Sequence, residues 1–131
     1  MPKILVTGAT GQIGAELTLT LRDRYGAENV VAAGHRRELS GDLAQTGPYC
    51  RLDVRDAAAL DAVVSEQRIT VIYHLAALLS AVAEEQPLLA WDINMNGLLN
   101  VLESARKHRC QVFFPSSIAA FGPGTPPFDT P

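Results

Sequence analysis

Three glycines set three residues apart, Gly8, Gly11 and Gly14 in the string Thr7-Gly8-Ala9-Thr10-Gly11-Gln12-Ile13-Gly14, have the type and spacing that speak most directly of chemistry. A continuous apolar run, Lys3 to Thr7, precedes them, and a stretch with helical spacing at Ile13, Leu17, Leu19 and Leu21 follows. At a turn from strand to helix, Gly8 permits the tight bend, Gly11 lets the backbone approach a pyrophosphate, and Gly14 lets the helix pack close to the sheet. The helix start turns free N–H groups and the positive end of its dipole toward the phosphates. A glycine turn chosen for packing alone is the competing reading, and the flanking strand and helix favour a dinucleotide.

Other candidates fall where later strands end. A carboxylate about 20 residues past the glycines ordinarily holds the adenosine ribose hydroxyls. Here Val30-Val31-Ala32-Ala33 runs into Gly34, and His35, Arg36 and Arg37 follow. The acid is absent and cations take over, an arrangement suited to the 2'-phosphate of NADP. On the alternative reading those cations decorate a solvated loop, with Arg36 stacking on adenine whichever cofactor binds. Asp53 and Val54 close the third strand, where Asp53 can accept from the adenine amino group or cap the helix that follows. Leu75, Ala76 and Ala77 end the fourth strand with side chains small enough for a cofactor to lie against the backbone, and His74 reads as a satisfied strand histidine. Phe114-Pro115-Ser116-Ser117 ends the fifth, where Ser117 is a hydrogen-bond donor to a substrate oxygen or a turn serine.

The elements that must position these residues alternate along the chain. Strands are expected at Lys3–Thr7, Val30–Ala33, Tyr49–Val54, Val71–Leu75 and Val112–Phe114. Helices are expected after Gly11, over Ala57–Gln67 behind an Asp56 cap, and through Leu88–Ala105, closing on Arg106, Lys107, His108 and Arg109. Strands separated by helices imply right-handed crossovers and a doubly wound parallel sheet of the Rossmann type, five strands in the order 3-2-1-4-5. The 131 residues suit one domain over 1–131, and the formal net charge of −3 supplies no electrostatic reason for nucleic acid. No signal pattern and no apolar run of membrane-spanning length is present, so a cytoplasmic location without a membrane partner is expected. Cys50 and Cys110, far apart and near no histidine cluster, read as two buried thiols, and no metal site is expected.

Together, TGATGQIGAEL (Thr7 to Leu17), YHLAALLSA (Tyr73 to Ala81), PLLAWDINMNGLLNVLE (Pro87 to Glu103) and FPSSIAAFGP (Phe114 to Pro123) resemble the extended short-chain dehydrogenase/reductase superfamily. Within it they are most similar to the short-chain L-threonine 3-dehydrogenases. The resemblance implies that Gly8, Gly11, Gln12, Ile13 and Gly14 hold the pyrophosphate, Asp53 and Val54 the adenine, and Leu75, Ala76 and Ala77 the middle of the cofactor, with Asn94 near the nicotinamide ribose. It implies Ser80 beside an amino-acid substrate and Ser117 as the catalytic hydroxyl in oxidation of the threonine 3-hydroxyl. It implies NAD, whereas Gly34 in the place of the usual acid raises NADP.

The resemblance also implies a general-base tyrosine in a Tyr-x-x-x-Lys motif. Here Tyr25, Tyr49 and Tyr73 are followed four residues later by Asn29, Asp53 and Ala77, and the lysines are Lys3 and Lys107. The chain is accordingly expected to be the dinucleotide-binding portion of a longer enzyme, inactive by itself, with a sugar-nucleotide epimerase or dehydratase, or a non-catalytic binding module, as the alternatives. An unpaired edge at Val112–Phe114 and an apolar helix from Leu88 to Ala105 lead to the expectation of a homo-oligomer, a dimer first.

Overall fold

The computed structural model describes residues 2–35, 45–76 and 84–115. Five strands, β1 (Ile4–Thr7), β2 (Val30–Gly34), β3 (Tyr49–Arg51), β4 (Val71–His74) and β5 (Gln111–Phe113), form one parallel sheet in the order β3-β2-β1-β4-β5. This is the order expected from the alternation of elements. The helices are α1 (Gln12–Tyr25), α2 (Ala57–Glu66), α3 (Pro87–Trp91) and α4 (Gly97–His108), the last two joined by a π-helical turn over Asp92–Asn96.

β1 and β2 are buried along their whole length, as central strands covered on both faces must be. Their alternation divides the core. Leu5, Val31 and Ala33 face a layer with Leu60 and Val64 of α2 and Val101 and Ala105 of α4, whereas Ile4, Val6, Val30 and Ala32 face Leu17, Leu21 and Tyr25 of α1. All strands run the same way, so β1, β2, β3 and β4 bring Gly8, His35, Asp53 and Leu75 out at one edge of the sheet.

Three expectations are corrected. First, the inward face of α1 is Gly14, Thr18, Leu21 and Arg22, while Ile13 is 73% exposed and Leu19 lies on the surface. The helix starts too close to the sheet for a large side chain. Polar residues fill the face because their bonds are made within it: Thr18 Oγ1 donates to Gly14 O at 2.7 Å, and the Arg22 guanidinium donates to Val30 O, Thr46 Oγ1 and Pro48 O. Second, β3 ends at Arg51 instead of Val54. Leu52 N still donates to Gly34 O, but the chain then closes a turn in which Asp56 N donates to Asp53 O at 2.9 Å. Third, the Leu88–Ala105 helix is longer than its pattern and carries the π turn, and the last strand begins one residue early, at Gln111. The cap on α2 is Asp56, as expected, accepting from Ala59 N at 3.0 Å. Cys50 and Cys110 are free and half-buried, and burial pushes both thiols above the ordinary cysteine range. Among the described residues no helix is long and apolar enough to cross a membrane.

Arg22 is thus the tie between α1, the start of β2 and the approach to β3. Replacing it in Arg22→Met takes the guanidinium donors from Val30 O and from Pro48 O, which keeps only Ala32 N, an expected loss of about 1–3 kcal/mol that equilibrium urea denaturation measures.

Candidate functional site

The glycine loop is built by contact between backbones. Gly8 has φ of +67°, the left-handed region, and a Cβ placed on it would stand 2.6 Å from the carbonyl carbon of Leu75 and 2.7 Å from Ala76 N. A Cβ on Gly14 would overlap the Gly8 carbonyl oxygen. Gly11 differs: it is exposed, and its Cβ would meet only Gly8 O, at an ordinary 3.4 Å. Gly8 and Gly14 are therefore demanded by the fold itself, while Gly11 is open to solvent and the fold would admit a Cβ there. Gly11 caps α1 and, having no side chain, makes no cap hydrogen bond to the helix's first amides. With Gln12 and Ile13 exposed beside it, the start of α1 presents a cradle of N–H groups suited to a pyrophosphate.

Behind this loop lies a buried junction that the sequence did not single out. Thr7 Oγ1 accepts from Leu75 N at 3.1 Å and from Ala76 N at 3.2 Å and lies 2.8 Å from His74 Nδ1. A hydroxyl has two lone pairs and one hydrogen. With both lone pairs engaged, its hydrogen donates to Nδ1, so His74 is neutral and carries its proton on Nε2. Burial acts in the same direction and pulls the His74 pKa down to about 4. His74 is thus the satisfied strand histidine that its position suggested, and it holds the exit of β4 in register with the glycine loop. The signal available in the sequence was a threonine at the last position of the first strand.

Where β2 and β3 end, Asp53 and His35 come together, with His35 Nε2 3.5 Å from Asp53 Oδ2. Arg55 grips Asp53 from two sides, Nε to Oδ1 at 3.0 Å and Nη2 to Oδ2 at 2.7 Å, and its backbone N–H donates to Oδ1 as well. The hydrogen bonds from the Arg55 side chain hold the Asp53 carboxyl at about 2. Asp53 therefore caps no helix, and the reading left open between adenine acceptor and cap resolves against the cap. Val54 is buried, and its carbonyl oxygen accepts from Asn100 Nδ2 at 2.9 Å. Gly34 is buried, and a Cβ there would stand 2.7 Å from Thr10 Cγ2, so the loop side chain occupies the room an acid at 34 would need.

Asn94 lies half-buried on the π turn, in a shallow groove with Pro87, Ala90, Trp91 and Met95. Arg36, Ala77, Ser80 and Ser117 lie outside the described residues. The chain approaches Ser117 through Phe114 and Pro115, which with Tyr73, Leu75, Val112 and Phe113 line an apolar groove of about 410 Å³. Among the described residues no group of histidine, cysteine or acidic side chains is placed to hold a metal.

Residues 4–131 match the family of NAD-dependent epimerases and dehydratases. An uncharacterized epimerase/dehydratase of Staphylococcus saprophyticus is 50% identical over all of this chain, which spans 41% of that protein's length. The L-threonine dehydrogenase structure from Clostridium difficile superposes with a TM-score of 0.90 at 49% identity, over 96% of this chain and 40% of that one. A GalE-like L-threonine dehydrogenase from Cupriavidus necator, in a holo form, gives 0.86 and 48% over 95% of this chain and 40% of that one. The chain thus spans about two fifths of the length of the relatives it matches.

The Thr7–His74 junction makes stability depend on pH. The folded pKa of His74 is depressed, so between pH 6.5 and about 4 the unfolded chain takes up a proton that the folded chain refuses, and stability falls as pH is lowered through that window. The loss reaches roughly 3 kcal/mol below pH 4. His74→Asn keeps an acceptor for the Thr7 hydroxyl and removes the titration, so urea denaturation between pH 7 and 4.5 is expected to show a flatter dependence than the parent's.

Proposed function

The chain belongs to the family of NAD-dependent epimerases and dehydratases, and on that footing we propose that it is the dinucleotide-binding portion of an L-threonine 3-dehydrogenase-like oxidoreductase. One observation carries the reading: Gly8 packs on the β4 exit at Leu75–Ala76 and Gly14 packs on Gly8, which sets the open start of α1 at Gly11 beside the strand exits, with Asp53 at the same sheet edge. The identities of 49% and 48% to two L-threonine dehydrogenases, and the strings Ala76–Ala81 and Asn94–Glu103, support the choice of substrate. When bound, the cofactor supplies a nicotinamide that accepts hydride from the substrate alcohol.

The chain's own residues bind and orient. Gly11, whose own N–H donates to Gly8 O, leaves room for the pyrophosphate, the amides at Gln12 and Ile13 meet its charge, Thr7 and His74 fix the Leu75–Ala76 backbone along the middle of the dinucleotide, and Asp53 accepts from the adenine amino group. On this reading Ala77 continues the middle segment, Asn94 faces the nicotinamide ribose, Ser80 adjoins the substrate amino acid, and Ser117 donates to the substrate alcohol oxygen. No Tyr-x-x-x-Lys occurs among the 131 residues, so none of them is assigned the abstraction of the alcohol proton. The name of the Staphylococcus saprophyticus relative favours a second reading, epimerisation or dehydration, for which the sequence alternative offers a nucleotide sugar as substrate. Threonine-dependent formation of the reduced cofactor by the purified protein separates the two.

Cofactor choice turns on position 34. Without an acid there, and with His35 and Arg36 beside it, NADP is admitted along with NAD. Calorimetric titration of the purified protein is expected to show binding of NAD or NADP, weakened at least tenfold in Gly11→Val, which sets a branched side chain where the pyrophosphate lies. Parent-like affinity in that variant would remove the assignment. Gly34→Asp combined with Thr10→Ser, which removes the methyl standing in the acid's way, is expected to shift preference toward NAD by about tenfold. Gly34→Asp alone is expected to shift it less.

A homodimer is proposed through the helical run from α3 to α4, where Leu88, Trp91, Met95, Leu99 and Leu102 recur at three- and four-residue spacing and are all exposed. Light scattering behind a sizing column is expected to give twice the protomer mass, and the protomer mass in the pair Trp91→Glu, Leu99→Glu.

A further inference from the structure

Asp53 and Val54 are the candidate contacts for adenine, yet the strand that leads to them stops two residues earlier, at Arg51. What holds this loop comes from elsewhere. The Asn100 amide, on α4, donates to Val54 O at 2.9 Å and to Arg55 O at 3.1 Å. Both partners are carbonyls, so the atom facing them is the NH₂ group, and its two hydrogens serve one each. One turn earlier on the same helix, a Cβ at Gly97 would stand 2.6 Å from Val54 Cγ2, so the helix surface rests directly on the buried Val54. The π turn adds a third tie: Arg55 Nη1 lies 3.6 Å from Asp92 Oδ2 while the rest of its guanidinium grips Asp53, and Asn96 Nδ2 donates to Asp92 Oδ1 at 2.8 Å.

We propose that Asn100 and Arg55 are positioning residues for the adenosine end of the dinucleotide, fixing Asp53 and Val54 by referring their loop to the long helix. The proposal rests on the cofactor reading above and adds residues to it. Arg55 and Asp92 are partly exposed, at 27% and 44% of their side-chain surface, and ion pairs in that setting add little to stability. Their worth lies in orientation: the Arg55 fork faces both Asp53 oxygens and sets the plane in which the carboxylate meets a ligand. Asn100 does the same for the backbone, since two carbonyls on one amide cannot rotate independently. The consequence is selective. Loosening either residue frees the adenosine contacts and leaves the glycine cradle, held by Thr7 and by Gly8 against Leu75, untouched.

The purified protein and its variants would be titrated with NAD, with AMP and with nicotinamide mononucleotide, by calorimetry or by NMR shifts where binding is weak. Asn100→Asp keeps the size of the side chain and turns a donor into an acceptor facing two carbonyls. Arg55→Gln leaves the core alone and serves if the first variant does not fold. Each is expected to weaken AMP and NAD about tenfold or more, with nicotinamide mononucleotide within about twofold of the parent and, for Arg55→Gln, an unchanged melting temperature. Parent-like affinity for AMP in Arg55→Gln, or equal loss of both mononucleotides, overturns the inference and leaves the cofactor site standing. A parent that binds neither NAD nor AMP overturns the cofactor reading and this inference with it.

Discussion

Backbone touches backbone where α1 leaves the sheet, and the rest of the site depends on that contact. Gly8 lies against the Leu75–Ala76 peptide and Gly14 against the Gly8 carbonyl, at separations that leave no room for a single methyl group. The β1 exit and the start of α1 thereby share one small volume with the β4 exit, which is remote from them in sequence. A side chain at either glycine would push the helix away from the sheet, and the amides at its start would no longer face the strand exits. The requirement is steric before it is chemical, and this separates Gly8 and Gly14 from Gly11, whose surroundings would admit a Cβ.

The polar groups around that contact are chosen so that none is left without a partner. Among the described residues no buried side-chain nitrogen or oxygen lacks a hydrogen bond. Thr7 meets this demand for the β4 exit, taking two amides and giving its hydrogen to His74. Arg22 meets it on the other side of the sheet, where an arginine inside a helix–sheet interface is tolerated because its donors face carbonyls. A neutral histidine and a charged arginine, both buried, are stable for the same reason: each is matched in the protonation state that its partners require.

The sheet edge at Asp53 is organised differently. Its groups lie near the surface, and the order there comes from a chain of polar contacts from His35 through Asp53 and Arg55 to Asp92. Such contacts do little for the core and much for direction, because a forked guanidinium fixes the plane of the carboxylate it holds. The site therefore has a rigid half, set by packing around the glycines, and a half whose geometry is set by hydrogen bonds to a helix.

Much of this was legible in the residues. The five strands, their parallel order, the glycine loop and the Asp56 cap follow from hydrophobic period, turn chemistry and the handedness of crossovers, all of which are local or nearly so. The strings around the glycines and around Asn94 pointed to the family that residues 4–131 match. What local pattern could not yield is which face of α1 turns inward: Ile13 and Leu19 carry the apolar period, yet closeness to the sheet at Gly14 selects Gly14, Thr18 and Arg22 instead. Nor could it exclude the cap reading of Asp53, because that is decided by the grip of Arg55, itself tied to the long helix run through Asp92 and Asn100. The roles of Thr7, Arg55, Gly97 and Asn100 have the same origin. Each depends on a distance between segments remote in sequence, and such distances exist only once the chain has folded.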